Sequence, residues 1–142
     1  SLSQLALAYS TVDCQVTPTQ VGGKTAARLV GAAGSTSPFT LLTLVKSDYV
    51  PDPLATAREA CTRLNARLCK APAAKTLTVQ LAGARLIVGE ASAPLFSFDA
   101  KHAYKTGSTP EALVKQWNAS FKKLFALPRL AADKDSLLVP VG

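Results

Sequence analysis

At 142 residues, with 48% hydrophobic and 18% charged residues, the chain has the size and apolar content of one folded domain, which excludes disorder as its overall state. A net charge of +7 favours acidic partners such as nucleic acid, anionic lipid or an acidic protein face, and speaks to association, not to fold. No apolar run approaches the roughly 18 residues of a membrane-spanning helix. Three cysteines without a CxxC, plus the single histidine His102, fall short of the four spaced ligands of a structural zinc site.

Leu2 to Ala8 carries the small-residue pair Ala6-x-Ala8 of a secretory-signal tail but no basic stretch before it. It is expected to be the first structured segment of a mature protein whose signal lies upstream, and the absence of methionine fits a processed or trimmed chain. Thr11 to Val16 alternates and is β-branched, which predicts a strand closed by Thr17-Pro18. After the turn signal Gly22-Gly23, Thr25 to Gly31 predicts a second strand and Gly31 to Pro38 a loop of small residues. Phe39 to Lys46 is continuous enough to be a central strand.

Asp52-Pro53 then starts a helix that runs to about Leu68. Ala57, Ala60, Cys61, Leu64 and Leu68 fall on one face, and Arg58, Arg63, Arg67 and Lys70 on the other. Thr76 to Leu81 and Ala84 to Glu90 flank a hairpin turn at Ala82-Gly83, and Pro94 to Phe98 gives a further strand. A polar loop from Ala100 to Gly107 holds Lys101, His102, Tyr104 and Lys105. The second helix opens at Thr109-Pro110, or at Ser108 in a capping box with Glu111, and reaches about Phe125. Leu113, Trp117, Phe121 and Leu124 face the core, while Lys115, Lys122 and Lys123 point outward. Ser136 to Val141 adds an edge strand that tolerates Pro140.

The chain also repeats itself. Ala27-Arg28-Leu29 and Gly31 match Ala84-Arg85-Leu86 and Gly89, and Pro38-Phe39 matches Pro94-Leu95, at an offset of about 57 residues. Each copy ends in a helix followed by proline, Pro72 or Pro128. This predicts a duplicated strand–strand–helix unit with copies at 20–72 and 80–128, and a C-terminal extension at 129–142. The fold class that follows is a single α+β domain: one antiparallel sheet of about five to seven strands, two helices side by side on one face, and pseudo-twofold symmetry.

Catalytic signals are sparse. His102 has no Gly-x-Ser-x-Gly elbow or cysteine partner motif, so a loop histidine near surface charge is the expected reading. Asp48 and Asp52 are the closest useful carboxylates, and Asp52 already caps a helix. Gly22-Gly23-Lys24-Thr25 ends like a phosphate loop but lacks the first glycine and precedes a strand. The sequon Asn118-Ala119-Ser120 sits mid-helix and reads as coincidence. Nothing calls for a metal or a cofactor. The basic set Arg58, Arg63, Arg67, Lys70, Lys115, Lys122 and Lys123 offers phosphate contacts, but no aromatic platform interleaves it, which makes nucleic acid the lesser partner class.

Cys61 and Cys69 share one predicted helix about 12 Å apart by rise, too far for a bridge. A bridge from Cys14 to either of them fits the spacing, as do three reduced thiols.

The run from Gly83 to Pro128, with Thr109-Pro110-Glu111-Ala112-Leu113, Trp117 and the Leu127-Pro128 ending, resembles small exported proteins of cyanobacteria, periplasmic or thylakoid-lumenal. Asp13-Cys14 in a strand, with Arg58-Glu59-Ala60-Cys61, Leu64 and Arg67-Leu68 on a helix, is similar to the secreted circadian-oscillating type of the same group. The similarity ends after Cys69, where that type has a further cysteine-bearing strand. The resemblance implies export, a photosynthetic host and a Cys14–Cys61 disulfide; it implies no catalytic residues. The expectation is a non-catalytic, extracytoplasmic accessory or binding subunit of a larger assembly. Its partner would be a protein, or an acidic protein or lipid surface. A basic nucleic-acid module and a small-ligand domain are the alternatives.

Overall fold

Alternating apolar and β-branched residues in the first half form three antiparallel strands, β1 (Val12–Val21), β2 (Lys24–Ala33) and β3 (Thr36–Val45), in that spatial order. The structure, a computed structural model, describes residues 12–33, 36–68, 77–90, 92–127, 129–130 and 140–141. Gly22 and Gly23, at φ of 56° and 78°, make the turn between β1 and β2, a backbone that side chains resist. β1 continues through Pro18, where a strand end is predicted; an edge strand tolerates the missing N–H. Most of the loop predicted over 31–38 is strand, because β2 runs to Ala33 and β3 starts at Thr36. β3 lies at an edge of its sheet, not in the centre. Its continuous apolar run is buried against helix α3, described below, rather than between two strands.

Asp52 Oδ1 accepts the Ala55 N–H at 3.2 Å, and helix α1 runs Pro53–Leu68 with Ala57, Ala60, Cys61, Leu64 and Leu68 buried. A second antiparallel meander follows: β4 (Val79–Ala82), β5 (Arg85–Glu90) and β6 (Ala93–Asp99). The β4–β5 turn falls on Gly83-Ala84, one residue later than predicted, with Gly83 at φ 61°. The run predicted as a polar loop contains one helical turn, α2 (His102–Lys105). Helix α3 (Pro110–Ala126) begins where Thr109 Oγ1 accepts the Ala112 N–H at 3.2 Å, so the cap is Thr109, not Ser108. Leu113, Trp117, Phe121 and Leu124 are its buried stripe. Two short strands, β7 (Arg129–Leu130) and β8 (Pro140–Val141), pair antiparallel. Of the predicted terminal strand only β8 falls within the described residues.

The single sheet of five to seven strands is corrected to two three-stranded sheets and a two-stranded pair. α3 supplies the physical reason, since it packs against both β3 and β4 and keeps those edges from meeting. Cys14, Gly31 and Phe39 lie opposite one another across the first sheet and so share a face. Cys61 of α1 is bonded to Cys14 on that face. A Cβ placed on Gly31 would lie 2.9 Å from Leu124 Cδ1 of α3. On its other side α3 meets the second sheet, where Trp117 stacks edge-on to Phe98 at 5.8 Å and Phe121 lies 6.4 Å from Phe96. The two long helices therefore bury their stripes chiefly on strands, α1 on β1 and β2 and α3 on β3 and β4, and not chiefly on each other as predicted. One apolar cluster joins both halves.

Candidate functional site

The structure joins Cys14 of β1 to Cys61 of α1 in a disulfide, with Cα atoms 5.3 Å apart across 47 residues of chain. Arg58, Arg63, Lys115, Lys122 and Lys123 are exposed, Arg67 is half-buried, and Lys70 lies outside the described residues. Among the described residues, two of these cations have intrachain partners. Arg63 meets Glu59 at 2.6 Å and donates to the Leu95 carbonyl at 3.0 Å. Lys123 Nζ sits 4.4 Å from the centroid of the Phe39 ring, a cation–π contact. Among the described residues, no hydrogen bond or ion pair links the α1 cations to those of α3.

A sheet edge presents unpaired N–H and C=O groups, and natural proteins cover them. Here side chains from the helical segments cap one residue on each of the four edge strands of the two three-stranded sheets. On β1, Cys14 N–H donates to Asn65 Oδ1 at 2.6 Å, and Asn65 Nδ2 returns a bond to the Cys14 carbonyl at 3.1 Å. On β4, Val79 N–H donates to Asn118 Oδ1 at 2.8 Å, and Asn118 Nδ2 donates to the Val79 carbonyl at 2.9 Å. Each asparagine thus stands in for one residue of a missing strand. On β6, Arg63 takes the carbonyl of Leu95, the residue left unpaired where the register shifts. On β3, Val45 N–H donates to His102 Nε2 at 3.1 Å.

His102 corrects the surface-loop expectation, because it is fully buried. With Nε2 accepting, the ring proton belongs on Nδ1, which has no partner among the described residues. Burial lowers its pKa below the usual 6.5 and holds the ring neutral. Asn118 likewise is half-buried and committed to Val79 rather than displayed as a sequon. Sequence reasoning missed Asn65 and His102 as edge caps; a polar residue beside the buried stripe of each helical segment was the only signal.

Beside the His102 cap lies a cleft of about 260 Å³. One wall is Thr40, Leu41, Leu42, Thr43 and Val45 of β3; the other is Leu113, Gln116, Trp117 and Ser120 of α3, with Thr106 and Ser108 at one end. Val21, at the end of β1, also lines the cavity, so it is not confined to the outer edge of β3. No lining residue is ionisable. Its chemistry is hydroxyl, amide and backbone groups over an apolar floor, suited to holding a ligand rather than to proton transfer. Of three other depressions, one of about 210 Å³ lies between α1 and β6, at Glu59, Arg63, Phe96, Ser97 and Phe98. One of about 370 Å³ at Arg67, Glu90 and Leu95 borders residues outside the described set, and one of about 500 Å³ lies on α3 alone, between Glu111 and Asn118.

Comparison with protein-family models, curated proteins and solved structures gives no match for the chain.

Proposed function

We propose that this chain is a non-catalytic binding domain, an accessory subunit of a larger extracytoplasmic assembly. The observation that carries the reading is the uncharged cleft between β3 and α3, set in a domain whose core spans both halves. The Cys14–Cys61 disulfide supports an oxidising compartment, in keeping with the resemblance to exported cyanobacterial proteins. We also propose that the two halves descend from one duplicated unit related by a pseudo-twofold axis. Its support is the pair of matched caps, Asn65 on the first strand of one meander and Asn118 on the first strand of the other.

The basic nucleic-acid reading is weaker, because Arg63 and Lys123 are spent on partners within the chain. The deciding experiment is purification of a C-terminally tagged copy from native membranes at low and high salt. A stoichiometric protein that survives high salt supports the accessory subunit. Recovery of salt-labile nucleic acid alone overturns it, since phosphate contacts weaken steeply with salt.

A further inference from the structure

Two of the cavities occupy equivalent positions in the two halves. α3 lines the uncharged cleft with Leu113, Gln116, Trp117 and Ser120. α1 lines the depression beside β6 with Thr56, Glu59, Ala60 and Arg63. Each residue of the first set lies 57 positions after its counterpart in the second, as Leu113 does after Thr56 and Ser120 after Arg63. The same offset separates Ala84-Arg85-Leu86 from Ala27-Arg28-Leu29. In each case the opposite wall includes the third strand of the other half, β3 for α3 and β6 for α1.

The two cavities differ in what their polar groups do. Beside β6, Glu59 and Arg63 pair at 2.6 Å, Arg63 also donates to the Leu95 carbonyl at 3.0 Å, and Ser97 Oγ accepts from Arg85 at 2.9 Å. Of the polar side chains there, only Thr56 has no partner among the described residues. In the β3 cleft Gln116 and Ser120 stand where Glu59 and Arg63 stand in the other, so the ion pair is missing. The side chains of Thr40, Thr43, Ser108 and Gln116 make no hydrogen bond among the described residues. Thr106 and Ser120 donate to the Ala103 and Gln116 carbonyls, and their hydroxyl oxygens still have lone pairs to accept with.

We propose that the β3–α3 cleft binds one small, uncharged molecule that carries a hydroxyl or amide group on an apolar ring or short chain. This deepens the binding-domain reading and rests on it. The cleft, at about 260 Å³, is slightly smaller than the sites that hold drug-sized ligands, which limits the occupant to about one ring. Free hydroxyl and amide side chains both donate and accept, so Thr43, Ser108 and Gln116 match an alcohol or an amide. A carboxylate or an ammonium would exchange water for neutral dipoles and find no counter-ion in the lining. The apolar part of the ligand lies against Leu41, Leu113 and Trp117 and leaves water there. Beside β6 the equivalent positions spend their polar groups on the chain itself, so that cavity is not a second site for the same ligand.

The test titrates the full, oxidised chain with four probes of one shape, benzyl alcohol, benzamide, benzoate and benzylamine, and follows backbone amide NMR shifts. Benzyl alcohol or benzamide should shift the amides of Thr43, Ser108 and Gln116 saturably, and bind about tenfold or more tightly than the two charged probes. Gln116→Glu with Ser120→Arg gives α3 the ion pair that α1 carries at the equivalent positions, and should weaken binding of the neutral probes about tenfold. It leaves the buried stripe of α3 untouched. Thr43→Val removes one hydroxyl at nearly constant size and should weaken binding about threefold, which keeps the site testable should the double variant fail to fold. Glu59→Gln with Arg63→Ser, in the other cavity, should leave binding unchanged. Charged probes that bind as tightly as benzamide would overturn the proposed ligand class. Neutral probes that bind the cleft variants as tightly as the wild type would overturn the site. No saturable shift from any probe would overturn the ligand proposal, and a salt-stable partner recovered from membranes would then leave the binding-domain reading standing. Failure of both experiments would overturn both readings.

Discussion

His102 shows how one side chain couples stability to pH. Its ring is neutral in the folded chain because burial disfavours the cation, and a proton on Nε2 would set two N–H groups against each other at Val45. The folded pKa lies below the unfolded value of 6.5, so this contribution is fully present above pH 6.5 and declines as pH falls below it. Urea unfolding at pH 7.5 and pH 5 is expected to give a wild-type advantage over His102→Gln that shrinks at the lower pH. An advantage equal at both values would refute the neutral-ring assignment. The asparagine caps make a second expectation. Asn65→Ala or Asn118→Ala strands an N–H and a carbonyl on a half-covered edge, and each is expected to cost about 1–3 kcal/mol by denaturant midpoint. An effect below about 0.5 kcal/mol for both would mean that water replaces the amide.

At the scale of elements, much was legible in the sequence. The stripe Leu113, Trp117, Phe121 and Leu124 carries helical periodicity, and Thr109-Pro110 marks the start of α3 by capping chemistry. The Gly22-Gly23 turn was legible for the same reason, a local backbone demand. What stayed hidden was non-local. Nothing in Phe39 to Lys46 distinguishes a central strand from an edge strand buried by a helix, so β3 read as central. Asn65 and Asn118 owe their roles to partners 51 and 39 residues away, and a helix-surface asparagine has no periodic signature. The cleft was illegible because it depends on how α3 packs against β3, a contact between residues far apart in the chain. Gly31 illustrates the same dependence. The sequence marks it as repeat and loop, but its lack of a side chain makes room for Leu124, Phe39 and Leu41, all within 3.3 Å of an added Cβ. Gly31→Ala is expected to cost about 1–3 kcal/mol through overpacking. Leu124→Val in the same chain should recover part of that loss, and additivity of the two changes would show that they do not meet.

At the scale of the molecule, the disulfide and the shared core act on different segments. The bond ties β1 to α1 within the first half, whereas α3 ties the first sheet to the second. Closing a loop with a separation of 47 residues is expected to contribute about 4 kcal/mol through the unfolded chain. Unfolding with and without dithiothreitol measures this, and a Cys14→Ser/Cys61→Ser variant should match the reduced protein. Equal stability of the oxidised and reduced forms would assign the bond no energetic role.

The edge caps also set an order of events during synthesis. β1 and its cap Asn65 leave the ribosome within one half, but β3 must wait for His102, 57 residues further along. At about 5–20 residues per second, that is several seconds in which Val45 and Thr43 have neither cap nor wall. A chain stopped after the first helix would lack the side chain that caps Val45. A ribosome stall between Leu68 and His102 is therefore expected to leave the β3 edge exposed to pairing with another chain.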